Sequence, residues 1–180
     1  MAALTPDAVG RLSAAAVTSL DTTQVAAITP SQAEQITSAQ VDALSSAQVA
    51  ALDPAAVGSL SAPALISLST AQVAAITPSQ AQQITPAQVD ALSVSQVGSL
   101  TPAAVGSLSA EAVASLSVAQ VGSITAVQSA QITPAQVGQL DAAQVAALSP
   151  SAVASLSAAA VASLDAVQAV SYTHLRAHET

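Results

Sequence analysis

The 180-residue sequence has no cysteine, tryptophan or phenylalanine, and its only basic side chains are Arg11 and Arg176. Without cysteine, the chain can form neither a disulfide nor a thiolate metal site. Nucleic acids and anionic membranes require clustered Lys and Arg, so a formal net charge of −8 excludes nucleic acid as a partner and disfavours such membranes. Polar residues interrupt every apolar run well before the roughly 18 residues of a membrane span, so we expect no transmembrane segment.

Residues that carry metal or covalent chemistry are equally scarce. The two histidines, His174 and His178, have the spacing of two ligands on one helix face. They lie, however, in a C-terminal segment that does not share the pattern of the rest of the chain. We therefore predict no catalytic, cofactor-binding or metal-binding residues, no cofactor, and a protein that is not an enzyme.

The sequence does contain a repeat of eight residues. Leu or Ile stands at position 4 and at every eighth position through Leu164, which gives 21 consecutive octapeptides. Ser, Thr or Asp follows in every unit, and eight of the nine prolines come next, Pro63 being displaced by one. The fifth place is Gln or Ala, the sixth is mostly Val, and the seventh holds all six glycines.

Each place in the unit matches a signal for the start of a helix. Ser, Thr or Asp suits the N-cap, and Pro suits the first helical position. Gln three residues after the cap, as in Ser45 with Gln48, completes a capping box, and Leu44 with Val49 forms a hydrophobic staple. Gly at the seventh place suits either the exit from the helix or close packing against a neighbour.

These signals predict an all-α fold, an α-solenoid of about 21 short helices of roughly six residues, one per octapeptide. In one continuous helix the Leu positions would spiral around the axis, and the prolines would break it. In a β-strand, Leu and Val five residues apart would point to opposite faces. A single short helix is unstable alone, so stacked units must supply the stability, with Leu, Ile, Val and Ala inward and Ser, Thr and Gln outward.

A longer period of six octads is superimposed on the short one. Three features recur at this interval. They are a pair of Ile at the first place of adjacent octads, a small residue instead of Val at the sixth place, and Gln at the eighth place. The members are Ile28, Ile36, Ile76, Ile84, Ile124 and Ile132; Ala33, Ala81 and Ser129; and Gln35, Gln83 and Gln131. Two explanations remain open: duplication of a block of six octads, which we favour, or closure of a whole number of coils by six octads.

The acidic residues do not form a recognisable site. Four of them stand at the cap place, and two others are separated by six octads. The cap acids are Asp21, Asp53, Asp141 and Asp165; the pair is Asp42 and Asp90; and Asp7, Glu34 and Glu111 are scattered. We interpret the first group as N-caps and the others as solvated surface residues, rather than as a glycosidase pair or a Ca²⁺ site.

Both ends of the chain depart from the repeat. Residues 170–180, VSYTHLRAHET, resemble one reading frame of the transposase adapter used in sequencing libraries, so we divide the chain into an octapeptide domain, 1–171, and a non-native tail, 172–180. Met1 begins in the middle of a unit, which leads us to expect an internal fragment of a longer reading frame.

The repeat resembles octapeptide tracts, L-S/T-x-A-Q-V-A-A, of large bacterial surface or secreted proteins. This resemblance, over residues 4–171, implies a structural spacer or scaffold and favours an extracellular or cell-surface location. Strings such as ITPAQV at 132–137 are also similar to the repeats of plant-pathogen DNA-binding effectors, but those units are several times longer and contain basic residues. The alternatives are a solenoid that binds peptides, proteins or cell-surface partners, an ice- or mineral-binding array of Ser and Thr rows, or a fragment that stays disordered or aggregates.

Overall fold

A computed structural model describes residues 3–171, and every regular element in that range is a helix. The helices are α1 (Pro6–Gly10), α2 (Ala14–Thr18), α3 (Thr22–Ala26), α4 (Pro30–Ala33), α5 (Ser38–Asp42), α6 (Ser46–Ala51), α7 (Pro54–Ser59), α8 (Ala62–Ile66), α9 (Thr70–Val73), α10 (Pro78–Ala81), α11 (Pro86–Ala91), α12 (Val94–Ser99), α13 (Pro102–Ser107), α14 (Ala110–Ala114), α15 (Val118–Gly122), α16 (Ala126–Ser129), α17 (Pro134–Val137), α18 (Ala142–Ala147), α19 (Pro150–Ser155) and α20 (Ala158–Ala162). A last helical segment covers 166–171. The prediction of one short helix per octapeptide is confirmed, with lengths of four to six residues for α1–α20.

The helices begin where the cap residues predict. In α5, for example, the cap Thr37 has extended backbone angles and its hydroxyl accepts the N–H of Gln40, while the Gln40 side chain accepts the N–H of Thr37. Proline occupies the first turn, where its missing N–H costs no helical hydrogen bond. No described non-glycine residue has a positive φ, so the chain turns at each corner without left-handed backbone.

Each described helix from α4 onward stacks on the helix three places earlier in the chain. Thus α4 packs on α1, α7 on α4, and the same spacing continues to α20 on α17. Three octads therefore make one coil with three sides, and six octads make two complete coils. Closure of a whole number of coils by six octads is therefore confirmed, and duplication of a six-octad block stays a prediction.

The described array consists of seven coils, each with three sides. The coils are coil 1 (4–27), coil 2 (28–51), coil 3 (52–75), coil 4 (76–99), coil 5 (100–123), coil 6 (124–147) and coil 7 (148–171). The first, second and third helices of the coils make up side A, side B and side C, respectively. Side A thus begins with α1, side B with α2 and side C with α3.

The core is a narrow column of aliphatic side chains contributed by the first, fifth and sixth places of each unit. In the central coils, Leu or Ile of the first place and Val of the sixth place are almost entirely buried, Leu92 and Val89 among them. The residues of the fourth place are exposed throughout the described octads. Inward placement of Leu, Ile and Val is therefore confirmed, and burial against the neighbouring coils supplies the stability that one short helix lacks.

The prediction that glutamine points outward is wrong for the fifth place. Twelve of these glutamines are buried, with at most 5% of the side chain exposed: Gln32, Gln40, Gln48, Gln72, Gln80, Gln88, Gln96, Gln120, Gln128, Gln136, Gln144 and Gln168. Burial is tolerated because each side-chain amide is hydrogen-bonded at both of its ends. Gln35, Gln83 and Gln131 of the eighth place are exposed, as predicted.

Three of the six glycines serve close packing against the next coil. None of them has a positive φ, so none forms a left-handed cap. A Cβ at Gly10, Gly58 or Gly106 would lie 2.8, 2.6 or 2.5 Å from the carbonyl oxygen of the residue 25 places later. These three glycines, which recur on side A in every second coil, are therefore required by the approach of the next coil.

Candidate functional site

The most organised polar feature of the described chain is the set of buried glutamines at the corners between helices. Each lies at the third helical position, where its Oε1 accepts the N–H of its own cap residue. Its Nε2 donates to carbonyl groups at the corner directly beneath, one coil earlier. One glutamine therefore satisfies the N-terminus of one helix and the C-terminus of another, both of which have backbone groups without helical partners.

Gln80 illustrates the geometry. Its Oε1 accepts the N–H of Thr77 at 2.9 Å, and its Nε2 donates to the carbonyls of Val49 and Leu52, both at 2.8 Å. Val49 lies in the last turn of α6, and Leu52 precedes the cap of α7. A neutral amide suits this position, because a Lys or Arg there would pay a large desolvation cost.

On side C the glutamines form an unbroken chain of amides. The N–H of Ser45 donates to Gln48 Oε1 at 2.8 Å, and Gln48 Nε2 donates to the carbonyl of Leu20 at 2.8 Å. Leu44 and Ser45 share one peptide group, and its carbonyl accepts Gln72 Nε2 at 2.6 Å. Backbone and side-chain amides thus alternate from one coil to the next with all their dipoles in the same direction.

This chain, which we call the amide spine, continues through the described array. It consists of the peptide groups that precede the side C helices and of Gln48, Gln72, Gln96, Gln120, Gln144 and Gln168. On sides A and B the equivalent chain is interrupted, because every second coil has Ala at the fifth place. Aligned amides polarise one another, so the spine should be stronger than isolated hydrogen bonds.

The spine contains no group that is available for chemistry. All buried side-chain nitrogen and oxygen atoms of residues 3–171 have hydrogen-bond partners. Sequence reasoning identified the capping half of each glutamine, as in Ser45 with Gln48, but missed the donation to the corner beneath. The available signal was the fifth place itself, which reads Ala, Ala, Gln, Gln, Gln, Gln from the first octad and then repeats.

The acidic residues lie where capping and solvation place them. Asp21, Asp53 and Asp141 are N-caps, and the Asp165 carboxylate accepts the N–H of Gln168. The remaining described acids are exposed on sides A and B: Asp7, Glu34, Asp42, Asp90 and Glu111. Within residues 3–171, no three His, Asp or Glu side chains come together as a group that could hold a metal ion. His174 and His178 lie outside the described residues.

The exposed surface differs between the three sides. The described helices of side C contain no charged residue, although Asp caps the first helix and the last two. They carry the exposed Val94 and Val118, one coil apart. Gln35, Gln83 and Gln131, whose recurrence is the sequence feature that favours a binding face, all lie on side A, each two coils from the next. Among the described helices, none has the length and apolar character that crossing a membrane requires.

No family model matches this chain, and no curated protein is significantly similar to it.

Proposed function

We propose that residues 4–171 form a non-enzymatic structural spacer within a larger surface or secreted protein of bacterial origin. The observation that carries the proposal is the amide spine, which joins every described coil to the next through the same hydrogen bond, from a glutamine Nε2 to the carbonyl of a first-place residue. An array whose coils contact only their neighbours grows in length with each pair of coils that is added. Such an element sets a distance between the segments that flank it.

The dimensions and composition support this role. Seven coils separated by the usual packing distance between helices, about 8–10 Å, would span about 50–60 Å. The interior is held by apolar contacts and neutral amides, and only 7% of all residues are charged. Because screening acts on charges, ionic strength should have little effect on the folded length.

The proposal is tested by measuring the length of the array. The chain has no cysteine, so Ala15→Cys and Ala159→Cys, both exposed on side B, would attach one dye at each end for energy-transfer measurements. Inserting a second copy of residues 76–123 after Ser123 should lengthen the dye separation by about 16–20 Å. In the control pair Ala15→Cys and Ala39→Cys, the separation should not change.

Two results would contradict the spacer function. One is a dye separation that fails to follow the number of coils, since a spacer must convert sequence length into distance. The other is a specific ligand with a micromolar Kd, because a passive spacer needs none. The length measurement therefore tests the architecture of the spacer, and a binding screen tests its passivity.

A protein-binding solenoid is the second candidate. The observation that favours it is that side C has no charged residue in its helices or caps in coils 2 to 5, where Val94 and Val118 are exposed. Uncharged patches with exposed aliphatic side chains are typical of protein interfaces. If side C binds a protein, Val94→Asp together with Val118→Asp should abolish the interaction. Substituting the exposed Ala87 and Ala135 of side B with Asp is the matched control.

A further inference from the structure

Consecutive coils of the array are not equivalent. Coils 1, 3, 5 and 7 have Ala at the fifth place on sides A and B, whereas coils 2, 4 and 6 have Gln there, and side C always has Gln. We call the two kinds Ala coils and Gln coils. Because they alternate, the array contains two different interfaces.

The interface beneath a Gln coil is bridged on all three sides. Beneath coil 4, Gln80, Gln88 and Gln96 donate to the corner carbonyls of coil 3 at 2.8, 2.7 and 2.8 Å. On side A this interface also requires a glycine, because a Cβ at Gly58 would lie 2.6 Å from the carbonyl oxygen of Gln83. The Ala coil beneath therefore supplies both a gap and carbonyl acceptors.

The interface beneath an Ala coil is built from small residues. Only the spine glutamine bridges it among the described fifth-place residues, as Gln72 does beneath coil 3. On side A, α4, α10 and α16 pack most extensively on the following helices α7, α13 and α19. Ser129 Oγ donates to the carbonyl of Ala152 at 2.7 Å, so the sixth place of the lower helix touches the backbone of the upper one. Ala33, Ala81 and Ser129 fill that place on side A and are completely buried, so a Val there would add methyl groups against the upper backbone.

We propose that these two interfaces form a register lock, in which the smallest unit that can be added or removed is a pair of coils. A Gln coil cannot stack on a Gln coil, because Glu34 stands where Gly58 gives clearance and Ala33 leaves a void where Val57 fills space. An Ala coil on an Ala coil brings Val57 to the place where the smaller Ala33, Ala81 and Ser129 stand beneath an Ala coil in the native array. This proposal concerns the stacking alone and holds whether or not the array is a spacer.

Three deletions in the full chain test the lock. Deleting 52–75 places a Gln coil on a Gln coil, deleting 76–99 places an Ala coil on an Ala coil, and deleting 52–99 preserves the alternation. If all coils were equivalent, the one-coil deletions would be more stable than the two-coil deletion, because longer arrays are more stable. The lock reverses this order.

The expected result is that the chain lacking 52–99 melts at least about 5 °C above each one-coil deletion, as followed by far-ultraviolet circular dichroism. One-coil deletions that melt at the same temperature or higher would overturn the proposal. Failure of a one-coil deletion to fold is consistent with the lock only if the following rescue succeeds.

The rescue is the double substitution Ala33→Val and Glu34→Gly, which gives coil 2 the sixth- and seventh-place residues that Val57 and Gly58 provide on side A of coil 3. In the deletion of 52–75 it should restore helicity or raise the melting temperature, because the introduced glycine then accommodates the incoming carbonyl. In the undeleted chain it should lower the melting temperature, because the introduced valine would stand where the equivalent Ser129 meets the backbone of the next coil, at the carbonyl of Ala152. An effect of the same sign in both chains, or no rescue, would overturn the proposal.

Discussion

Replacing Gln80 with Glu should destabilise the array strongly at neutral pH, and the reason lies in two distances. Gln80 Nε2 lies 2.8 Å from each of the carbonyl oxygens of Val49 and Leu52. Glu has almost the same shape but places an oxygen at this position. The substitution therefore leaves the packing and the capping acceptor in place and exchanges two attractive contacts for two repulsive ones.

The magnitude follows from burial. The side chain of Gln80 has no exposed surface, so water cannot solvate an ionised carboxylate at this place. Loss of two hydrogen bonds to neutral acceptors costs about 1 kcal/mol each, and a buried charge without a partner raises the total to about 3–5 kcal/mol. The protonated acid can still donate to one carbonyl, so its cost should be only about 1–2 kcal/mol.

The stability of the Gln80→Glu variant should also depend on pH. Burial beside carbonyl oxygens should raise the pKa of the introduced glutamate in the folded chain above its value in the unfolded chain. The unfolded chain then loses its proton first, so the stability relative to wild type is highest below the unfolded pKa and falls as the pH rises toward the folded pKa. Urea unfolding followed by circular dichroism over a pH series measures this difference.

Gln24 provides the matched control. It forms the same capping box with Asp21, at 2.9 and 2.8 Å, but it belongs to coil 1 and its side chain is exposed. Gln24→Glu should change the free energy of unfolding by no more than about 0.5 kcal/mol. The role assigned to the buried glutamines would be refuted if Gln80→Glu and Gln24→Glu had equal effects, or if the former showed no pH dependence.

Three further results are expected. Gly58→Ala should destabilise the chain by about 1–3 kcal/mol in urea titrations, because its Cβ would lie 2.6 Å from the Gln83 carbonyl oxygen. Gly98 has the same Val-Gly-Ser-Leu context, but the nearest carbonyl oxygen would lie 3.6 Å from a Cβ there. Gly98→Ala should therefore be neutral or stabilising by up to about 1 kcal/mol. Thr101→Ala, which removes the cap acceptor of the Ala104 N–H, should cost about 1 kcal/mol, and Thr101→Ser should restore it. The melting temperature should rise only slightly with sodium chloride. A steep fall would indicate that charge pairs hold the array, because salt screens their attraction.

The local structure could be predicted because each of its causes lies within one octapeptide. A cap such as Ser45 and its partner Gln48 are three residues apart, so their pairing needs no knowledge of the rest of the chain. The core residues could also be predicted, because aliphatic side chains recur at the first and sixth places of nearly every unit. The prediction that Gln lies on the surface was wrong because it rested on the polarity of the amide alone. A polar amide can be buried when it has hydrogen-bond partners, and here those partners are carbonyl groups one coil earlier in the chain.

The sequence by itself determined the short helices, their starting points, their buried aliphatic face and the six-octad period, since these depend on neighbouring residues or on simple recurrence. The tertiary structure decided that three helices make a coil, because the angle at each corner results from packing. It also decided that Gln48 bonds to Leu20, 28 residues earlier, since a residue reaches the corner beneath only after the chain has completed a coil. Which amides are buried, and which glycines must remain glycine, follows from that stacking.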